Sequence, residues 1–258
     1  MKVAVTGKGG SGKTTIAGTM ARVYASMGFR VLAVDADDNP NLAITLGIPL
    51  EKFEEGKPIP TRLLVRSSTG LRLLMKPEEI VRKYSIEGPG GIKLLIMTKI
   101  ERAGIGCACG SHATVREIIH HIVPGPNEIV VIDMEPGLEI FGRATPKYAN
   151  VVLAVAEPYF KSVVTAVKIA QLAQDLGVEK VYGVVNKVRS EDEKNLVLKV
   201  FERYGIKVLG FVPHDDTVYT ADKYGYAPID YKPDCNAVKA IRGIALKLLV
   251  DMGYVVPR

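Results

Sequence analysis

The stretch Gly7-Lys-Gly-Gly-Ser-Gly-Lys-Thr-Thr15 constrains this chain more than any other part of it. A short apolar run, Val3–Val5, leads into it, and Ile16, Met20, Val23 and Tyr24 follow at helical spacing. Gly7-x4-Gly12-Lys13-Thr14 therefore lies between a strand and a helix, the context that a phosphate-binding loop requires. Glycines here let the backbone N–H groups of Gly9, Gly10, Ser11, Gly12, Lys13, Thr14 and Thr15 curl around an anion, and the helix adds its positive N-terminal end. Lys13 would neutralise the β- and γ-phosphates, and the Thr14 hydroxyl would complete a Mg²⁺ shell. The motif predicts a nucleoside triphosphate with Mg²⁺ as ligand.

Beyond the loop, short apolar runs alternate with amphipathic stretches. The strand candidates are Val3–Val5, Val31–Val34, Leu71–Met75, Leu94–Met97, Ile129–Ile132, Val151–Val155, Val181–Val185 and Val208–Val212. The helix candidates are Thr14–Met27, Pro77–Tyr84, Ala113–His121, Phe160–Leu176, Glu191–Tyr204 and Ala237–Met252. Strands without polar alternation read as buried on both faces. That pattern predicts an α/β fold, a doubly wound and mostly parallel sheet with helices on both faces, in one domain spanning residues 1–258. Ligands of such sheets collect at the carboxyl ends of the strands. The stretch Leu50–Thr69, with Gly56, Pro58 and Pro60, reads as a loop excursion.

Charge and cysteine content narrow the classes. The net charge of +6 is spread along the chain with no basic arm, so neither nucleic acid nor a membrane surface is an expected partner. No apolar run approaches the length of about 18 residues that marks a membrane span, and the chain enters a strand at once instead of a leader. Three cysteines, two of them in Cys107-Ala-Cys109, argue against a disulfide scaffold and for a reducing cytoplasmic setting.

Acidic residues end two of the strands. After Val31–Val34 comes Asp35-Ala-Asp37-Asp38-Asn39-Pro40, and carboxylates beside a Mg²⁺-nucleotide can orient a metal-bound or attacking water. The same cluster also suits a plain turn. The run Glu128-Ile-Val-Val-Ile-Asp133 has the form of a Walker B strand, with Asp133 holding Mg²⁺ through water. Gly137, four residues further on, can offer its amide to the γ-phosphate as part of a nucleotide-sensitive switch.

The second lysine of the loop, Lys8, has no task in a bare phosphate loop. Lys8 through Thr15, Lys-Gly-Gly-x-Gly-Lys-Thr-Thr, resembles the deviant Walker A ATPases, the family of the MinD and ParA proteins and the nitrogenase iron protein. The resemblance implies a homodimer that sandwiches ATP, with Lys8 reaching the partner's nucleotide. It further implies that Asp35 lies near the metal, acting through water, and that Asp37 positions the hydrolytic water. Asp38 stands where the family often has proline. The segment after Asp133 has no cysteine, so the cluster chemistry of the nitrogenase iron protein is not expected. Asn186, after Val184-Val185, and Pro213, after Val212, resemble the family's purine-binding elements. An Asn amide can pair with both the adenine amino group and a ring nitrogen. Pro213 is expected near the base.

Two cysteines at i and i+2 cannot alone complete a tetrahedral thiolate site, but two copies across a two-fold axis supply four sulfurs. The dipole of the following helix would favour thiolate at Cys107 and Cys109. A redox pair, or two incidental loop residues, are the other readings. Gly106-Cys-Ala-Cys109, the Lys8–Thr15 loop and Asp133-Met134 with Gly137-Leu-Glu139 together resemble the CooC-type ATPases. That resemblance implies ATP-driven dimerisation and hydrolysis coupled to nickel insertion into carbon monoxide dehydrogenase or a related client such as acetyl-CoA synthase. Ni²⁺ or Zn²⁺ would occupy the shared site of Cys107 and Cys109. The rival readings are a scaffold ATPase for iron–sulfur clusters and a ParA- or MinD-like positioning ATPase. Scaffold ATPases usually carry Cys-x-x-Cys near the C-terminus, where this chain has Cys235 alone. Membrane-binding members use a C-terminal amphipathic helix, whereas the Ala237–Met252 stripe reads as core packing. Cys235 and His112 receive no role from the sequence.

Overall fold

Valine- and isoleucine-rich runs can hold both faces of a strand away from water only inside a sheet covered twice. The computed structural model describes residues 1–68, 70–97 and 109–255, with Cys109 as backbone only. Its strands are β1 (Lys2–Gly7), β2 (Arg30–Ala36), β3 (Leu64–Ser67), β4 (Gly70–Leu73), β5 (Ile86–Glu87), β6 (Lys93–Ile96), β7 (Glu128–Met134), β8 (Val151–Ala156), β9 (Lys180–Val188) and β10 (Lys207–Pro213). Eight of them form one sheet in the order β10-β9-β8-β1-β7-β2-β6-β5. Every pairing in it is parallel except that of the short edge strand β5 with β6.

The helices are α1 (Lys13–Ser26), α2 (Leu42–Leu46), α3 (Leu50–Glu55), α4 (Pro77–Tyr84), α5 (Cys109–His121), α6 (Glu139–Gly142), α7 (Phe160–Asp175), α8 (Glu191–Arg203), α9 (Asp216–Lys223), α10 (Pro228–Tyr231) and α11 (Asn236–Asp251). The two-residue period of the strands divides the core. Val3 and Val5, with Val151, Leu153 and Val155, pack under α1 and α11. Ala4, Val152, Ala154 and Ala156 face α5, α7 and α8 on the other side. Val238, Ile241, Ile244 and Leu248 of α11 are buried in the first of these layers, so the C-terminal stripe is core. No helix among the described residues is long and apolar enough to cross a membrane.

Register sets the site. Val5 and Asp35 both stand opposite Asp133, from β1 on one side and β2 on the other. The loop after β1 therefore emerges at the middle of the sheet, beside two carboxylates on neighbouring strand ends.

Three expectations need correction. Leu71–Met75 is not a buried strand of the parallel sheet: β4 pairs antiparallel with β3 in a separate hairpin, and Leu71 is exposed. An apolar run cannot say by itself whether one or two layers cover it. Leu50–Thr69 is not a plain loop, since it holds α3, a 3₁₀ turn at Thr61–Leu63 and β3. Its Ile59 and Leu63 are buried in the core, and Ile59 N donates to Ile96 O at 3.0 Å. Elements this short fall below the window in which periodicity can be read. Finally, α5 begins at Cys109 instead of Ala113, so Cys109 opens that helix and does not precede it.

Candidate nucleotide site

The phosphate loop folds as its glycines allow. Gly10 and Gly12 have φ of 80° and 86°, in the left-handed region where a side chain is strained. At Gly12 the neighbours forbid one as well, because a methyl there would overlap Asn186 Nδ2. Ser11 N donates to Lys8 O at 3.1 Å, and Ile16 N to Gly12 O at 3.1 Å, closing the turn onto α1. Lys13 is only 6 % exposed, on the first turn of α1.

The end of β9 braces this loop, a relation that sequence reasoning missed. Asn186 Nδ2 donates to Ser11 O at 2.8 Å, and Lys187 Nζ donates to Gly10 O at 2.6 Å. Lys187 also pairs with Glu157 at 3.1 Å and holds φ of 59°, an unusual conformation for lysine. The pair Asn186-Lys187 was visible as a strand end. Its contact with a loop far away in sequence was not.

The acidic side is built for a cation. Thr14 Oγ1 donates to Asp133 Oδ2 at 2.6 Å, while Asp133 Oδ1 is buried with no hydrogen-bond partner among the described residues. Asp35 is fully buried and accepts from Leu42 N at 2.9 Å and Asp37 N at 3.3 Å. Burial, with Thr14 and Lys13 opposing it, pushes the Asp133 carboxyl up to about 7. Burial and then the charge of Asp133 raise Asp35 well above the usual carboxylate range. Two adjoining buried carboxylates with an orphaned oxygen fit a bound Mg²⁺, which suits oxygen ligands and retained waters.

The remaining site residues surround this pair. Asp37 is half-buried, and its Oδ1 accepts from Asn39 N at 2.9 Å, so the turn reading is realised there too. Gly137, with φ of 95°, donates its amide to Gly7 O at 3.1 Å; the N–H expected to reach a γ-phosphate is held by β1. Lys8 Nζ rests on Tyr159, 3.3 Å from its hydroxyl and 5.6 Å from its ring centroid. A cavity of about 870 Å³ runs from Lys13, Thr14 and Thr15 to Asn186 and Pro213, which places both expected base-side residues in the same space as the loop. Cys107 and the side chain of Cys109 lie outside the described residues.

Residues 2–229 match the family model described as CbiA, the CobQ/CobB/MinD/ParA nucleotide binding domain. The chain belongs to that family. It is a P-loop ATPase, consistent with its loop and buried carboxylates. It is 37 % identical to the carbon monoxide dehydrogenase accessory protein CooC of Rhodospirillum rubrum over 92 % of each chain. It is 39 % identical to an uncharacterised ATP-binding protein of Methanocaldococcus jannaschii, over 95 % of this chain and 96 % of that one. Among solved structures, the septum site-determining protein MinD of Pyrococcus horikoshii, complexed with Mg-ADP, superposes with a TM-score of 0.73. That alignment covers 98 % of this chain and 96 % of the other at 17 % identity, which speaks for the fold.

Proposed function

We propose that this ATPase is a metallochaperone whose ATP-driven dimerisation and hydrolysis assist nickel insertion into carbon monoxide dehydrogenase or a related nickel enzyme. The observation that carries this reading is the 37 % identity to CooC along 92 % of both chains. The Cys107-Ala-Cys109 pair, absent from a bare phosphate-loop enzyme, gives it a chemistry.

In this reading ATP lies in the cavity with its phosphates on the loop. Lys13 neutralises the β- and γ-phosphates, Asn186 and Pro213 flank the base, and Asp37 orients the attacking water. Mg²⁺ would be held by Thr14 and, through water, by Asp35 and Asp133, and it supplies further charge neutralisation at the phosphates. For Gly137 to serve the γ-phosphate, its bond to Gly7 O must open, which makes that segment the nucleotide-sensitive element. Lys8 must likewise leave Tyr159 to cross to a second subunit. Lys8→Ala is therefore expected to keep ADP affinity while losing dimerisation on a non-hydrolysable ATP analogue. Sedimentation velocity checks this, and an undiminished dimer removes Lys8 from the interface.

Nickel is the cargo, taken by Cys107 and Cys109 of two subunits at about one ion per dimer. Cys107→Ser removes two of four sulfurs at once, so Ni²⁺ or Zn²⁺ bound at this stoichiometry is expected to be lost while ATP binding persists. The deciding experiment adds ATP and this protein to a nickel-free client enzyme. Activation that needs both ATP and the cysteines supports the reading; a client that remains inactive rejects it.

A further inference from the structure

Three side chains outside the nucleotide chemistry converge beside it. Asp38 follows β2, His112 lies in α5, and Glu135 follows β7. His112 Nε2 is 3.1 Å from Asp38 Oδ1 and 3.7 Å from Glu135 Oε2. One ligand atom from each of the three falls within 4.8 Å of the others.

The burial is what requires explanation. The His112 side chain is only 3 % exposed, yet among the described residues neither its Nε2 nor Asp38 Oδ1 has a hydrogen-bond partner, although both atoms are buried. An imidazolium placed here as a plain ion pair would aim its N–H at a carboxylate oxygen, and this one does not. Unpaired buried polar atoms are costly unless something else satisfies them. Ligand atoms around a tetrahedral ion, with bonds of about 2.0–2.1 Å, stand about 3.3 Å apart. The two observed separations, 3.1 and 3.7 Å, bracket that spacing.

Charge and donor type agree. Among the described residues, the Lys or Arg paired with either carboxylate is Arg143, whose Nη1 is 2.6 Å from Glu135 Oε2. That bond orients Glu135 without exhausting it, since an ionised carboxylate has about four acceptor positions. Arg116, one helical turn after His112, is directed to Glu117 and the Arg143 carbonyl. One imidazole with two carboxylates suits a divalent transition ion such as Zn²⁺, Ni²⁺ or Fe²⁺ better than Mg²⁺.

We propose that Asp38, His112 and Glu135 form a divalent transition-metal site within each chain, separate from the cysteine pair. The site ties α5 to both segments that flank the phosphates, because Asp38 adjoins Asp37 and Glu135 lies two residues past Asp133. An ion there holds these segments together, so a nucleotide that moves them changes metal affinity, and metal changes nucleotide affinity by the same factor. The inference rests on these three residues alone and stands whether or not the cysteines carry nickel.

The test uses the full chain carrying Cys107→Ser and Cys109→Ser, with Co²⁺ as the probe. Expected are one Co²⁺ per chain, visible d–d bands without thiolate charge transfer, and a dissociation constant shifted by a non-hydrolysable ATP analogue. Adding His112→Gln should remove the bands, and Asp38→Asn should weaken binding at least about tenfold, the scale of perturbing a metal's ligand shell. Asp38 is partly exposed, so its variant keeps the test open if His112→Gln fails to fold, and binding of the ATP analogue certifies each variant. No Co²⁺ bound by the cysteine-free protein, or bands unchanged in folded His112→Gln or Asp38→Asn protein, overturns the proposal.

Discussion

Lys13→Ala is expected to lose ATP turnover by roughly 10²–10³-fold, the scale of removing one preorganised electrostatic group, and to bind nucleotide more weakly by about 2–5 kcal/mol. Lys13 is 6 % exposed and lies at the first turn of the helix that the phosphates would face, so alanine leaves the anion without its nearest buried cation. Asp37→Asn should separate binding from chemistry. Its side chain is half-buried, accepts from Asn39 N and belongs to the turn after β2, not to the loop that grips the phosphates, so nucleotide affinity is expected to stay while hydrolysis slows. Calorimetry with a non-hydrolysable analogue, paired with phosphate release, distinguishes the two variants. Ordinary phosphate release by folded Asp37→Asn protein would remove that carboxylate from the mechanism.

How far the sequence carried depended on whether a feature was local. The phosphate loop was legible because strand, glycines, lysine and helix are contiguous, and the structure has Lys13 and Thr14 on the first turn of α1. Asp133 was legible as the acid ending an apolar run; its bond to Thr14, which joins the strand end to the loop, was not. Leu71–Met75 was misplaced because five apolar residues fit a buried strand and a half-covered hairpin equally well. The brace of Asn186 and Lys187 on the loop is a tertiary contact, and no spacing announces it. Asp38 shows the limit most clearly. Its departure from the resembling pattern was plain, but its meaning waited on His112 and Glu135, which only the packing of α5 against two strand ends brings to it.

The buried pair Asp35 and Asp133 should make the nucleotide-free protein less stable as pH rises. Burial lifts Asp133 from its ordinary 3.8 to about 7, so between these values the folded chain holds a proton that the unfolded chain has released. Unfolding then releases protons, and stability is fully present below about pH 4 and lost progressively as pH climbs through about 7. Asp35, raised in the same direction by burial and by Asp133, steepens the loss. Asp133→Asn removes the charge but retains an oxygen that can accept from Thr14 Oγ1. At pH 8 the variant without nucleotide is therefore expected to be more stable by on the order of a few kcal/mol, since one pKa unit corresponds to about 1.4 kcal/mol. In a chain of this size each kcal/mol moves the melting temperature by roughly 2–4 °C. The gain should shrink towards acid pH, where the natural carboxyl is already protonated. Mg²⁺ with an ATP analogue should reverse the order at pH 8, because the natural pair meets the cation with two charges and the variant with one. Urea denaturation at pH 5 and 8, with and without Mg²⁺ and analogue, reads all four arms. An equal pH slope in both proteins would show that the pair is not strained by its own charge. Stabilisation by Mg²⁺ and analogue that is undiminished in the variant would show that Asp133 does not serve the metal.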